Sequence, residues 1–367
     1  MLVKILKEVG SVPGCTSVVA SLTDSGVHGG ELDDLGVNVF CLNMRKSIVS
    51  IGTAMIRLRR MILTEKPDIV QTWLDHADVF GGLAAKWGNP SLPVCWNIRH
   101  SNPSATHRNL SRRLLGVCHR ALSKRLPNII FVNSRRGLAA HMIVGYSESR
   151  MYYIPNAFDV GEFFPDANKG DLFRRSIDSL PTHAMVFGMA ARYDPMKDHG
   201  TLLKAIRILI QTQRNAFFLL CGTGVSPDNE ALSNCITEYG LQHHVALLGP
   251  VTTMASFMNA LDCHILSSAY GEGFPNVIGE AMACGKPCIS TDVGDAAEIV
   301  GQTGWIVPPG DPEAMAAAMG EAMREDARSR MTRQENCRQR IVGQYGLSDI
   351  ASQYRKLWAQ LISPVIP

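Results

Sequence analysis

A chain of 367 residues exceeds what one hydrophobic core usually serves, so two domains are the expectation. With 46% hydrophobic and 19% charged residues it has the make-up of an ordinary folded protein, and no apolar run is long enough to span a bilayer. The net charge of +3 hides an imbalance: the first 157 residues carry 19 Lys and Arg against 10 Asp and Glu, the remainder 17 against 23. A basic half joined to an acidic half directs an anionic partner to the first.

In chain order, Met1–Val9 comes first. Leu2, Ile5, Leu6 and Val9 recur at helical spacing, and only seven residues separate this segment from the strand-like run Ser17–Leu22. A parallel crossover needs about a dozen, so the chain is read as opening in a helix. The segment also lacks the basic, apolar and small-residue order of a signal peptide. Further strands are predicted at Val37–Cys41, Ile69–Trp73, Val94–Ile98, Ile129–Asn133 and Met151–Ile154, with helices at Ile48–Thr64 and Asp78–Trp87. Residues 107–125 hold six Lys and Arg and no acid, with Leu110, Leu114, Leu115, Val117, Cys118, Ala121 and Leu122 at helical spacing. A core-packed helix with a solvated positive face and a helix resting on an anionic membrane fit this pattern equally well. Nucleic acid fits it less, because no aromatic residues interleave with the charges, and none is expected as a partner.

The second half repeats the rhythm, with strands at Met185–Ala190, Ala216–Cys221, Val245–Leu248, Cys263–Leu266, Pro287–Ser290 and Gly304–Val307 and a last amphipathic stretch at Ile350–Leu361. Strands alternating with helices mean parallel sheets covered on both faces. Two such series, with a break near 156–166, predict an α/β chain of two doubly wound, Rossmann-like domains facing a cleft at their carboxyl edges. The ten cysteines form no C-x-x-C pair or ligand-like cluster, which suits free thiols in a reducing cytoplasm.

Several polar residues fall just after strands of the second half. Arg192 and Lys197 follow Gly188-Met189-Ala190-Ala191, where two cations on one turn suit a diphosphate. Gly222 and Gly224, in Cys221-Gly222-Thr223-Gly224, make a turn that a base or ribose could approach. Glu272 and Glu280 are separated by seven residues in Glu272-Gly273-Phe274-Pro275-Asn276-Val277-Ile278-Gly279-Glu280. A glycine turn opening a helix offers backbone N–H groups to an anion, and carboxylates beside it can accept from sugar hydroxyls. Taken singly, each of these residues is more simply a surface charge or a loop glycine, and an isolated pair of glutamates at this spacing arises often by chance.

In this order and spacing, however, they resemble the retaining glycosyltransferases of family 4, which have the GT-B fold. The likeness runs through nearly all of the chain and is strongest from Tyr153 to Pro312. It rests on Glu272 and Glu280, on Arg192 with Lys197, on Ile154-Pro155-Asn156-Ala157-Phe158-Asp159 and on Glu280-Ala281-Met282-Ala283-Cys284-Gly285-Lys286-Pro287. Ala157 departs from the family's glycine. The resemblance implies a metal-independent, retaining transfer of a sugar from a nucleotide sugar, UDP- or GDP-linked, to a glycan or lipid-linked acceptor in cell-surface polysaccharide synthesis. No cofactor is implied. Arg192 and Lys197 would neutralise the leaving diphosphate, Glu280 would hold the ribose and Glu272 the sugar hydroxyls. The backbone about Gly273, Phe274, Asn276 and Val277 would face the donor, with Gly222 and Gly224 at its nucleoside. His100, at a strand end, would touch the transferred sugar; His76 is a second candidate, read first as structural, and Ser134 resembles a family serine.

The implied organisation is an acceptor-side domain over 1–157, a donor domain over 158–345 and a C-terminal helix over 346–367 returning to the first domain. The implied location is cytoplasmic, peripheral on the inner membrane face. Family members open with a strand and a glycine-rich loop, whereas Met1 here corresponds to the helix after that loop. The first domain is therefore expected to lack its first strand, with Met1–Val9 helical and poorly anchored and turnover impaired. A sugar-nucleotide epimerase and an inactive binding or scaffold protein remain the alternatives.

Overall fold

The computed structural model describes residues 1–10, 12–101 and 110–362, arranged as two units: 1–157 with the segment from Leu347, and Phe158–Gly346. In the first unit, α1 (Leu2–Gly10) is followed by β1 (Val18–Ser21), α2 (Gly29–Asp34), β2 (Asn38–Cys41), α3 (Ile48–Glu65) and β3 (Val70–Gln71). Then come α4 (Asp75–Gly88), β4 (Val94–Ile98), α5 (Leu110–Leu122), β5 (Ile129–Val132), α6 (Arg135–Ile143) and β6 (Met151–Tyr153). All pairings are parallel, but they form two sheets, β1-β2 and β3-β4-β5-β6, with no strand joining β1 to β3 among the described residues. This interruption between β1 and β3 accords with the expected lack of a first strand.

The opening segment is helical, as its spacing requires, but it is not poorly anchored. Ile5 and Val9 are buried in a cluster with Phe131, Ile154, Leu347, Ile350 and Tyr354, so α1 packs on the terminal helix α15 (Leu347–Ile362). Leu2, Ile5 and Val9 lie along one helical stripe, and burying it against a second amphipathic helix stabilises a segment too short to stand alone. Tyr354 fastens α15 to the sheet, its hydroxyl accepting from Asn97 Nδ2 at 3.1 Å, while Trp358 Nε1 donates to Gln71 at 2.7 Å.

The second unit contains α7 (Ala167–Arg175), β7 (Met185–Ala190), α8 (His199–Ile210), β8 (Ala216–Cys221), α9 (Glu230–Glu238) and β9 (Val245–Leu247). It continues with α10 (Met254–Ala260), β10 (Cys263–Leu266), α11 (Asn276–Ala283), β11 (Cys288–Thr291), α12 (Ala296–Val300), β12 (Trp305–Val307), α13 (Pro312–Arg324) and α14 (Ala327–Tyr345). Its six strands form one parallel sheet in the order β12-β11-β10-β7-β8-β9. The reversal of direction falls at β7 and β10, the position at which open α/β sheets bind ligands. Every residue of β8 and β10 is buried, as a sheet covered on both faces demands.

Strand bounds differ from expectation by a residue or two, and the largest difference is at β3. The ladder with β4 continues through Thr72 and Leu74, whose N–H groups donate to Cys95 O and Asn97 O, but Leu74 then turns sharply at φ 75°, ψ 156°. Helix α4 consequently starts at Asp75, three residues before the Asp78 expected. All ten cysteines are free thiols.

Candidate active site

In the second unit the residues that stood apart in sequence meet at the carboxyl ends of β7 and β10. Asp194 closes the turn after β7: its carboxylate accepts from Met196 N at 2.9 Å and from the Arg192 guanidinium, while its carbonyl takes Lys197 N at 2.9 Å. The Met196 amide, with Arg192 next, holds the Asp194 carboxyl below its usual range. Arg192 itself is exposed, at 57% of its side chain. Lys197 is not: its Nζ lies 2.5 Å from Glu272 Oε1, with side-chain exposures of 13% and 8%.

Two adjacent serines hold this pair, one at each partner. Ser267 Oγ donates to Lys197 O at 2.8 Å, and Ser268 Oγ donates to Glu272 Oε1 at 2.6 Å. Both serines are fully buried, and Thr291 Oγ1 in turn donates to Ser268 O at 2.6 Å. The turn after β11 braces the glutamate loop from below. Asp295 N donates to Gly273 O, and Gly294 sits at φ 59°, where an added Cβ would lie 2.5 Å from Gly273 O and 2.6 Å from Glu272 O. Only glycine fits there.

Gly222 is explained in the same way. It stands at φ 141°, and a Cβ would lie 2.2 Å from Ala191 O, so its first role is to let the backbone bearing Arg192 pass; Gly224 packs beside Tyr193. Phe274 is a core residue, its ring lying 6.2 Å from Phe158 and 5.5 Å from Tyr345, which leaves its backbone for any ligand role. Asn276 and Val277 open α11, whose N-cap Pro275 supplies no side-chain bond, and Glu280 is half-buried one turn further on. Two histidines lie in this unit's interior. Burial holds His264 down to about 3, with Lys197 adding to the effect, and His199 down to about 4.

The first unit gathers a polar cluster at the ends of β3 and β4. His100 Nε2 lies 3.2 Å from Asp75 Oδ1. Burial opposes ionisation of Asp75, yet the hydrogen bond and charge of His100 bring its carboxyl to about 2. Behind it, Asp78 accepts from Thr72 Oγ1 at 2.5 Å and meets His119 Nε2 at 3.0 Å, while His119 Nδ1 meets the Tyr146 hydroxyl at 2.8 Å. One tautomer satisfies both contacts: Nε2–H donates to Asp78 and Nδ1 accepts from Tyr146. Trp96 stacks on the ring at 4.3 Å. Burial raises the Asp78 carboxyl. Ligand atoms of Asp75, Asp78 and His119 lie within 4.8 Å of one another, close enough to hold a cation, but His119 has both nitrogens engaged and Asp78 is bonded on both oxygens, so the cluster is a hydrogen-bond network. His76 is exposed, and Ser134 caps α6 by accepting from Gly137 N at 3.0 Å.

Sequence reasoning singled out His100 but missed Asp75, Asp78 and His119, as well as Ser267 and Ser268. The available signals were two acids opening a helix straight after a strand and a pair of small hydroxyls closing one. The basic stretch at 107–125 is helical over Leu110–Leu122; its first three residues lie outside those described. Its apolar residues do not all face inward. His119 and Ser123 are buried, whereas Leu114 and Val117 are 64% and 52% exposed beside the exposed Arg113, Arg120, Lys124 and Arg125.

Residues 184–325 match the family model described as glycosyl transferases group 1. Over 334 residues the chain is 23% identical to the UDP-Gal:alpha-D-GlcNAc-diphosphoundecaprenol alpha-1,3-galactosyltransferase of Escherichia coli, covering 89% of this chain and 83% of that one. It is 27% identical to the putative glycosyltransferase EpsF of Bacillus subtilis, over 61% of this chain and 57% of EpsF. Among solved structures, Anabaena HepE in complex with UDP superposes with a TM-score of 0.85 at 21% identity, over 98% of this chain and 95% of HepE. That likeness establishes the fold, which is GT-B, with two Rossmann-like domains. Together the matches support a group 1 glycosyltransferase.

Proposed function

We propose that this protein transfers a sugar, with retention and without a metal ion, from a nucleotide sugar to a glycan or lipid-linked acceptor in cell-surface polysaccharide synthesis. The observation that carries this reading is the ammonium of Lys197 held against Glu272 at the carboxyl ends of β7 and β10, on the same turn as Arg192. Cations so placed stabilise the negative charge that grows on a departing diphosphate, a role metal ions fill elsewhere. The backbone of Gly273 and Phe274 and the start of α11 at Asn276 and Val277 face the donor, Glu280 takes the ribose hydroxyls and the Gly222–Gly224 turn lies at the base. His100 takes a hydroxyl of the transferred sugar. The acceptor oxygen bonds to the anomeric carbon on the face from which the diphosphate departs. The bond from that carbon to the phosphate oxygen breaks, and the acceptor's proton passes to the freed phosphate.

Uracil is the first base to test, because HepE was solved with UDP and the E. coli relative is named for UDP-Gal. That relative's diphosphoundecaprenol substrate favours a lipid-linked acceptor. The relatives are transferases, which does not favour the epimerase or scaffold alternatives. Among the described residues no helix is long and apolar enough to cross a membrane. We place the protein on the cytoplasmic membrane face through α5, whose Leu114 and Val117 would enter the headgroup layer while its cations meet anionic lipid.

The test incubates the protein with UDP-, GDP- and ADP-sugars, with lipid-linked acceptor and with EDTA. Release of nucleoside diphosphate that needs acceptor and resists EDTA is the expected result. Conversion of the nucleotide sugar to its epimer without acceptor would overturn it, as would inhibition by EDTA that Mg²⁺ reverses.

A further inference from the structure

The Lys197–Glu272 pair poses a question that the transfer reaction alone does not answer. A diphosphate site needs its cation available, yet here the ammonium is already held by a carboxylate at 2.5 Å. The pairing is built in rather than incidental. Ser267 holds the lysine's carbonyl, Ser268 holds the same glutamate oxygen that takes the ammonium, Ala269 N donates to Met196 O at 2.8 Å, and Gly294 admits the glutamate loop. With both backbones held, the resting position of the ammonium is against the carboxylate, and a bound diphosphate has to compete with Glu272 for it.

We propose that Glu272 is a positioning residue acting through Lys197, weakening the hold on nucleoside diphosphate so that the product is released, with Ser268 setting the strength of the pair. This rests on the reading of Lys197 as a diphosphate ligand. A lysine without a counter-charge would bind the fully formed diphosphate product at least as tightly as the transition state. Binding the two equally gains nothing in turnover and slows product release. A carboxylate beside the ammonium takes part of that attraction from every bound state, and the fully charged diphosphate product, which would otherwise be held most tightly, leaves faster for it.

The experiment measures calorimetric affinity for whichever of UDP, GDP and ADP the native protein binds most tightly. Glu272→Gln keeps the shape and the Ser268 bond but removes the competing charge. It should bind the diphosphate about tenfold more tightly, the scale of one charge-assisted hydrogen bond, while turnover falls. In a Lys197→Ala background the same substitution should change affinity by nothing, because the effect passes through the ammonium. Ser268→Ala carries the test if Glu272→Gln does not fold. The carboxylate then loses a donor, grips Lys197 harder, and diphosphate binding weakens about threefold. Unchanged or weaker binding in Glu272→Gln, with Lys197→Ala still lowering affinity, overturns this inference alone. No loss of affinity in Lys197→Ala overturns the assignment of Lys197 to the diphosphate, and this inference with it.

Discussion

Replacing Lys197 by Met tests whether the buried ion pair has the energetic character its geometry implies. The pair is short, at 2.5 Å, and largely out of water, with side chains 13% and 8% exposed. Met fills nearly the volume of Lys, so packing is retained and the charge is what disappears. Removing one partner of a buried pair typically costs about 3–5 kcal/mol, because the remaining ion stays desolvated without its counter-charge. The lower end, about 3 kcal/mol, applies here, since the Ser268 hydroxyl still donates to Glu272. The double variant Lys197→Met/Glu272→Gln removes both charges and should recover most of that loss, as buried pairs often give way to neutral groups at little cost. Urea titrations followed by far-UV circular dichroism give the three stabilities, and coupled nucleotide-release assays give turnover. Stability should fall and return across the series, while turnover is lost in both variants by the equivalent of about 2–4 kcal/mol. A single variant within about 0.5 kcal/mol of the native protein, or a double variant as unstable as the single, would refute the reasoning.

Acid should weaken the fold in a defined window. Burial holds His141 and His199 down to about 4 and, with the charge of Lys197 adding to it, His264 to about 3, below the ordinary 6.5. Unfolded chains therefore take up protons that the folded state refuses, and urea midpoints should fall steadily from about pH 6.5 to 4; a flat profile would count against three buried neutral rings. Gly294→Ala forces a side chain to φ 59° against two carbonyl oxygens, and should lower stability by roughly 2 kcal/mol or more with loss of turnover, as read by thermal melting and assay. Leu74→Gly should do the opposite. Leu74 stands at φ 75°, ψ 156°, a region nearly reserved for glycine, and the change should stabilise the fold by about 1 kcal/mol in urea. For α5, flotation with anionic vesicles should be abolished by Arg113→Glu with Arg120→Glu, and indifference to lipid charge would return the helix to a plain solvated face.

The order of strands and helices was legible because each element declares itself locally. Runs such as Ala216–Cys221 are too apolar for anything but a strand covered on both faces, and the observed strand has those bounds. The opening helix could also be read, since its spacing and the short connection to β1 left no alternative. Its anchoring could not. Ile5 and Val9 are buried by Tyr354 and its neighbours, more than 340 residues away along the chain. The face of α5 stayed open for the same reason: helical spacing places Leu114 and Val117 on a stripe, but whether a stripe meets core or solvent depends on what folds against it.

The candidate site divides along the same line. The amino-acid sequence by itself determined which residues stand at strand ends and helix starts, because turn glycines, paired cations and the spacing of Glu272 and Glu280 are short-range features. Tertiary structure alone decided which of them touch. Lys197 meets Glu272 across 75 residues, and Ser267 meets Lys197 across 70, because β7 and β10 lie side by side where the sheet reverses direction. Asp75 reaches His100 only because β3 and β4 pair and a strained Leu74 turns the chain between them. Strand pairing brings together residues that are distant along the chain, and no local pattern encodes which strands will become neighbours.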